Sequence, residues 1–372
     1  MTPFALPPYP YDQLDAYKDT ARSRHGSIID MSIGAPHDPP PTAVVDALAE
    51  SGAERGYPPS IGTAEFRGAA ARWLEEQCSV AISPDQIGAT IGLKEFVAGV
   101  PHWLKLKNPA KDTVLYPAVS YPSYAMGAEL AGCRAVPVPV DAQWRMCLDA
   151  VDPSDVARAL VLWVNSPGNP AGAIEDLGVA ASWGRAHGIP VISDECYIEF
   201  IWEGPKRTIL QHGVDGVLAV HSLSKRSNLA GVRAGFYAGD PDLVHWLREI
   251  RKHSGAMVPG PTQHAAAVAL GDQVHVDEQR GRYLERMTAM ISFLESVGLS
   301  VSMPEGGFYL WVAAPSGNGW DLAEELANRF GLIVSPGDFY GSASAGYVRV
   351  AVVQGDDAIA ELGRRLASER AG

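Results

Sequence analysis

Short apolar runs and helix-length amphipathic stretches alternate along most of this chain. From about residue 60 the alternation is regular. Residues 63–77 carry Phe66, Ala70, Trp73 and Leu74 at helical spacing behind a Gly62-Thr63 start, which predicts a helix. Apolar runs at 87–91, 113–116, 134–140, 159–164, 190–193, 217–221 and 234–238 then predict seven strands. Helix-length segments such as 95–104, 123–130 and 175–187 separate most of them. Strands joined by crossover helices predict an α/β fold with a mostly parallel, seven-stranded sheet covered on both faces. Ligands of such sheets gather beyond the carboxyl ends of the strands.

The two ends of the chain read differently. Residues 1–40 hold Pro3, Pro7, Pro8, Pro10, Pro36, Pro39 and Pro40 and predict an arm with little regular structure. Within it, 28–33 is a strand candidate that ends at the turn Gly34-Ala35-Pro36, and 41–51 predicts a short helix closing at Gly52. Beyond 240 come long helical patterns at 241–253, 262–270 and 276–297, the last with Tyr283, Met287, Met290, Ile291 and Leu294 on one side. The segment 301–312, strand candidates at 332–335 and 346–353 and helices at 321–330 and 357–369 predict a smaller α+β domain. The expected organisation is an arm over 1–40 joining the small domain, a large domain over 41–280 and a small domain over 281–372.

Composition narrows the class. With 372 residues, 47% of them hydrophobic and 20% charged, the chain is globular and long for a single domain. Its net charge of −13 argues against a nucleic-acid or anionic-membrane partner. No apolar run reaches membrane length, and the start lacks a signal-peptide pattern. Cys78, Cys133, Cys147 and Cys196 are scattered without a Cys-x-x-Cys pair, which predicts free thiols, no metal site and a cytoplasmic location.

The candidate chemistry lies just beyond the predicted strands. Gly92-Leu93-Lys94 sits at a strand-to-helix turn, whose amides suit a phosphate or simply make a tight turn. Tyr121, between Pro117 and Pro122, can stack on a flat ligand or pack within a Pro-rich loop. Asn165-Ser166-Pro167-Gly168-Asn169-Pro170-Ala171-Gly172 is a rigid double turn. Asp194 directly follows a buried run, so it needs a cationic partner or caps a helix. Ser222-Leu223-Ser224-Lys225 ends the next strand, and Arg233 follows in a Gly-rich setting. A lysine there suits Schiff-base chemistry, and two cations with two hydroxyls suit a phosphate. A phosphate cradle, a stacking aromatic, an amide, a carboxylate and a lysine in this order are the parts that a pyridinium aldehyde phosphate requires.

Those motifs resemble the fold-type-I, pyridoxal-phosphate-dependent aminotransferases of class I/II, from about Ile33 to Arg349. The resemblance implies pyridoxal 5'-phosphate as cofactor, joined as an imine to Lys225, which also serves as acid and base. Asp194 would pair with the pyridine nitrogen, Tyr197 and Asn169 would bond the ring 3-oxygen, and Tyr121 would stack on the ring. Gly92, Leu93 and Lys94 amides, Ser222, Arg233 and Tyr57 from a second subunit would hold the phosphate, so a homodimer with a shared active site is implied. Arg349 and Gly34 would receive the substrate α-carboxylate, with Asn169 beside it. Leu93 stands where the family often has a hydroxyl or small residue, and Ala171 where it often has Thr or Ser.

The implied activity is ping-pong transamination between an amino acid and a 2-oxo acid. Ser222-Leu223-Ser224-Lys225-Arg226-Ser227-Asn228-Leu229-Ala230-Gly231 further resembles the N-succinyldiaminopimelate aminotransferases of lysine and diaminopimelate biosynthesis, whose expected donor is glutamate. The alternatives are a broad aspartate, alanine or aromatic aminotransferase, a carbon–sulfur β-lyase, or a cofactor-binding regulator without turnover. No basic helix-turn-helix segment accompanies the motifs.

Overall fold

The computed structural model describes residues 9–371. Pro3, Pro7 and Pro8 of the expected arm lie outside the described residues. The chain divides into two compact units, and among the described residues the first comprises 9–34, 283–303 and 308–371, the second 35–282 and 304–307.

In chain order the first unit begins with helix α1 (Asp15–His25) and strand β1 (Ile29–Asp30). The helix corrects the expectation that the N-terminal segment lacks regular structure. No proline falls between Pro10 and Pro36, Asp15 lies in the first turn, and Arg22, Arg24 and His25 lie in the last. These charges complement the helix dipole, and Gly26 (φ +71°) closes the helix in the left-handed region.

The second unit follows with helices α2 (Thr42–Ala49) and α3 (Ala64–Cys78). Thr63 caps α3 by accepting a bond from the Phe66 amide, as the Gly-Thr start predicted. Then come β2 (Ile87–Thr90), α4 (Leu93–Lys107), β3 (Thr113–Pro117), α5 (Ser123–Leu130), β4 (Arg134–Val138), α6 (Pro153–Arg158), β5 (Ala159–Asn165), α7 (Leu177–His187), β6 (Val191–Asp194), β7 (Val217–Ser222), the single turn α8 (Leu223–Arg226) and β8 (Gly235–Gly239). Helices α9 (Pro241–His253), α10 (Gly260–Gly271) and α11 (Val274–Ser296) complete the run, and the division between units falls inside α11.

The seven strands pair in the order β2-β8-β7-β6-β5-β3-β4. All pairings are parallel except those of β8, which runs antiparallel to both neighbours. The link from β7 to β8 holds only two short helical turns, α8 and a 3-10 turn at Ala230–Val232, and no full crossover helix, so the strand returns in the opposite sense. Strands β2, β5, β6, β7 and β8 are buried on both faces, whereas edge strand β4 is partly exposed. One face packs with Trp73, Leu223, Phe236 and Leu270, the other with Phe96, Tyr124, Trp163 and Tyr237.

The first unit resumes with β9 (Tyr309–Ala313), α12 (Gly319–Phe330), β10 (Leu332–Ile333), β11 (Ser335–Pro336), β12 (Tyr347–Ala351) and α13 (Asp356–Ala371). Strands β11, β12 and β9 make an antiparallel sheet, while β1 pairs with β10 in parallel. The segment 301–312 becomes strand only from Tyr309 on, in β9, and the strand expected over 332–335 divides into two two-residue strands.

Candidate active site

The polarity of the sheet brings the second unit's motifs to one edge. Asn165, at the end of β5, pairs in register with Asp194 at the end of β6, and Asp194 pairs with Val220 of β7. Ser222 at the end of β7 pairs with Gly235, and Gly235 pairs with Thr90 at the end of β2. Because β8 runs backwards, its first residues lie at this carboxyl edge. Arg233, just before β8, therefore lies beside Gly92, just after β2.

Gly92 has φ +66° and precedes the first turn of α4, a 15-residue helix. A Cβ there would lie 2.2 Å from an Arg233 guanidinium nitrogen, so only glycine lets that cation rest against the turn. Arg233 is itself left-handed (φ +61°) and donates from Nη1 to the Ala230 carbonyl at 2.9 Å. Leu93 is buried and Lys94 exposed. Glu95 braces the turn: it accepts from the Ile91 amide at 2.9 Å and pairs with buried Arg251 at 2.7 and 2.9 Å. Ser222 caps α8 by accepting from the Ser224 amide at 3.2 Å. Lys225 stands half-buried in that turn.

Asp194 is 5% exposed. Its Oδ2 accepts from the Tyr124 hydroxyl at 2.8 Å and its Oδ1 from the Cys196 amide at 3.2 Å. Burial pushes the carboxyl above its ordinary range, against these bonds and the charge of Lys225. Tyr124 stacks on Trp163 at 5.3 Å and meets the Tyr121 ring edge-on at 6.3 Å. The Asn169 amide donates to Asn165 Oδ1 at 2.8 Å, and Asn165 Nδ2 donates to the Asp194 carbonyl at 2.9 Å. Asn165 thus ties the loop bearing Asn169 to the turn bearing Asp194. Tyr197 is buried at the start of the next turn. The bonding roles of Tyr124 and Asn165 escaped the sequence reading, although both residues sit inside the runs singled out there.

Arg349 and Gly34 belong to the first unit. Arg349 is 2% exposed, donates to the Ser32 carbonyl, and lies 4.2 Å from the Tyr309 ring centre and 4.8 Å from that of Tyr340. A Cβ on Gly34 would fall 2.1 Å from the Tyr309 hydroxyl, so these two residues share one tyrosine. Tyr57 is 97% exposed. Arg226 is enclosed: its Nε donates to Glu199 Oε1 at 2.9 Å and its Nη1 to the Ala269 carbonyl at 2.5 Å.

A mostly parallel sheet carrying a lysine, a buried carboxylate and a Gly-Arg cradle along one carboxyl edge defines a fold-type-I aminotransferase. The model of the aminotransferase class I and II family matches residues 26–365, and the chain belongs to that family. The resemblance carried by the motifs is borne out. The chain is 39% identical over 97% of its length to 4-dedimethylamino-4-oxo-anhydrotetracycline transaminase OxyQ of Streptomyces rimosus, of which it covers 99%. It is 32% identical over 97% of its length to LL-diaminopimelate aminotransferase of Aquifex aeolicus, covering 96% of that protein. A "probable N-succinyldiaminopimelate aminotransferase" from Thermus thermophilus superposes with a TM-score of 0.86 at 31% identity, covering 96% of this chain and 99% of that one.

Members of this family depend on pyridoxal 5'-phosphate. The residues present fit it. Amides at the start of α4, the Ser222 hydroxyl and the Arg233 cation suit its phosphate. The buried Asp194 carboxyl, whose ionised form the Tyr124 and Cys196 bonds favour against burial, suits a protonated ring nitrogen. No described helix is long and apolar enough to cross a membrane, and no described group of His, Cys, Asp and Glu side chains is arranged to hold a metal.

Proposed function

We propose that the chain transfers the amino group of a diaminopimelate-type amino acid to a 2-oxo acid, with N-succinyl-LL-2,6-diaminopimelate as the amino compound and the 2-oxoglutarate/glutamate pair as its partner. The observation that carries the transamination is the register of Asn165, Asp194 and the β7 end beside the Gly92–Arg233 turn.

Pyridoxal phosphate supplies, when bound, an aldehyde that condenses with amines and a ring that withdraws electrons from the substrate Cα. Lys225 would hold the cofactor through its Nζ, and that amine, once free, would serve as the base that takes the substrate Cα proton and as the acid that passes it on to the cofactor side. Asp194, oriented by Tyr124, keeps the ring nitrogen protonated. Tyr197 and Asn169 hold the ring 3-oxygen and Tyr121 covers the ring face. Gly92, Leu93, Lys94, Ser222 and Arg233 hold the phosphate, joined by Tyr57 of a second copy in a cytoplasmic homodimer. Exposure of the Tyr57 ring supports that last role. Arg349 forks the substrate α-carboxylate against the Gly34 backbone, and its aromatic neighbours supply a preset orientation.

Similarity to the Aquifex and Thermus proteins supports a diaminopimelate-type substrate. The 39% identity to the Streptomyces enzyme favours a second reading, amination of a polycyclic ketone. The test is kcat/KM across N-succinyl-LL-diaminopimelate, LL-diaminopimelate, aspartate, alanine and aromatic donors with 2-oxoglutarate, and glutamate with a tetracyclic ketone. Preference for the first compound by tenfold or more supports the proposal; preference for the ketone replaces it.

A further inference from the structure

The turns that carry Asp194 and Lys225 also carry a second pair of titratable side chains, on the other face of the sheet. Side chains alternate along a strand, so Glu195 points away from Asp194 and its partner Tyr124. It meets His221, which precedes Ser222 on β7. Glu195 is 0% and His221 4% exposed, and His221 Nε2 lies 3.4 Å from Glu195 Oε2. Glu195 Oε1 accepts from the Ile209 amide at 2.8 Å. Glu195 Oε2 and both His221 ring nitrogens make no well-formed hydrogen bond within the protein, although the Ser193 and Thr208 hydroxyls lie beside the Glu195 carboxyl. The His221 ring is held between Trp73 at 5.0 Å and Phe236 at 4.8 Å. Against the pair lies a cavity of about 10 Å³, lined also by Ser222, Leu223 and Arg226.

Three buried polar atoms without a well-formed bond around one small cavity require an explanation, because such atoms are costly in an apolar surrounding. The charged groups nearby do not supply it. Glu199 is matched by Arg226 and Lys206, Asp194 faces the opposite side, and the Cys196 and Cys78 thiols are held neutral by burial. A separated carboxylate and imidazolium would pay several kcal/mol of desolvation per ion for one long contact. A single shared proton satisfies both partners without net charge, and the cavity has the size of one water.

We propose that Glu195 Oε2–H donates to neutral His221 Nε2, that one water in this cavity takes the bond of Nδ1–H, and that the pair fixes the ends of β6 and β7 so that Asp194 and Lys225 keep their mutual position. Burial, which pushes Glu195 up to about 8 and His221 down to about 3, favours the same uncharged state. Glu195 and His221 are positioning residues, and this role rests on Lys225 and Asp194 serving the cofactor as proposed above.

Infrared difference spectra of cofactor-free and cofactor-loaded protein test the pair. At pH 7 we expect a protonated-carboxyl band that is lost in Glu195→Gln and shifted in His221→Gln. A band identical in all three proteins overturns the shared proton. The cofactor absorbance then tests the positioning. Both variants should bind pyridoxal phosphate, shift the pH midpoint of its absorbance change, and lose about tenfold in kcat with KM little changed, as expected for misplaced groups. An unchanged midpoint and kcat overturn the positioning role. Each variant removes a different half of the pair, so either suffices if the other fails to fold. The spectra of cofactor-free protein decide the pair even if Lys225 proves not to be the cofactor lysine.

Discussion

The Tyr124 hydroxyl donates to Asp194 Oδ2 at 2.8 Å with both side chains buried. This bond fixes the face that the carboxylate presents at the strand end and favours its ionised form against burial. Tyr124→Phe removes the donor and keeps the ring that stacks on Trp163. A hydrogen bond to a charged group contributes about 1.5–3 kcal/mol. The expected outcome is a tenfold or greater rise in the Kd for pyridoxal phosphate, read by absorbance titration, with Tm changed little.

Gly92 and Arg233 give a second prediction. Gly92→Ala places a methyl 2.2 Å from the guanidinium and imposes a left-handed strain of about 1–2 kcal/mol. Phosphate-dependent affinity should fall while pyridoxal without phosphate binds as before. Equal loss for both compounds would show general damage to the turn.

Arg226 reads in the sequence as a hint toward substrate, and the structure gives it another task. It is 4% exposed and pairs with Glu199, which also pairs with Lys206 and accepts from Trp73 Nε1 at 3.0 Å. Glu199→Gln leaves buried Arg226 and half-buried Lys206 without their counter-charge. It should cost about 3–5 kcal/mol in urea unfolding. The ranking of amino donors should stay the same.

Glu175 provides a pH signature. It accepts from the Met146 amide at 3.0 Å, and burial pushes it up to about 7 from an ordinary 4.5. The unfolded chain ionises it near 4.5 while the folded chain keeps it neutral. Its stabilising contribution is thus complete below that value and lost as pH rises through about 7. Glu175→Gln should flatten the fall in unfolding free energy across that pH range. An identical slope in both proteins would contradict this.

Much of the sheet was legible because buried parallel strands are continuous apolar runs that stand out from amphipathic helices. The strand ends were legible for the same reason: Asn165, Asp194 and Ser222 each interrupt such a run. The antiparallel sense of β8 was not, since direction depends on the length of the β7–β8 link and the run looks the same either way. Helix α1 was hidden by its low hydrophobicity and by prolines that lie outside it. The bonds of Tyr124 and Asn165 were hidden because partners so distant in sequence leave no local pattern. His221 and Glu195 read as ordinary neighbours of the motif residues until the register faced them to one another.

Arg349 carries a prediction for the first unit. Lysine at this position keeps the charge and loses both the planar fork and its contact with the Tyr309 and Tyr340 rings. Arg349→Lys should raise KM for α-amino acids tenfold or more while leaving the cofactor spectrum intact. An unchanged KM would remove Arg349 from the substrate site.

Everything proposed for the site turns on Lys225 being the residue that holds the cofactor. Borohydride reduction of the pyridoxal-phosphate-loaded protein, followed by peptide mass spectrometry, tests this directly. One pyridoxyl label is expected, on Lys225, and none in Lys225→Ala. A label on Lys94 or any other lysine, or its persistence in the variant, would contradict the assignment.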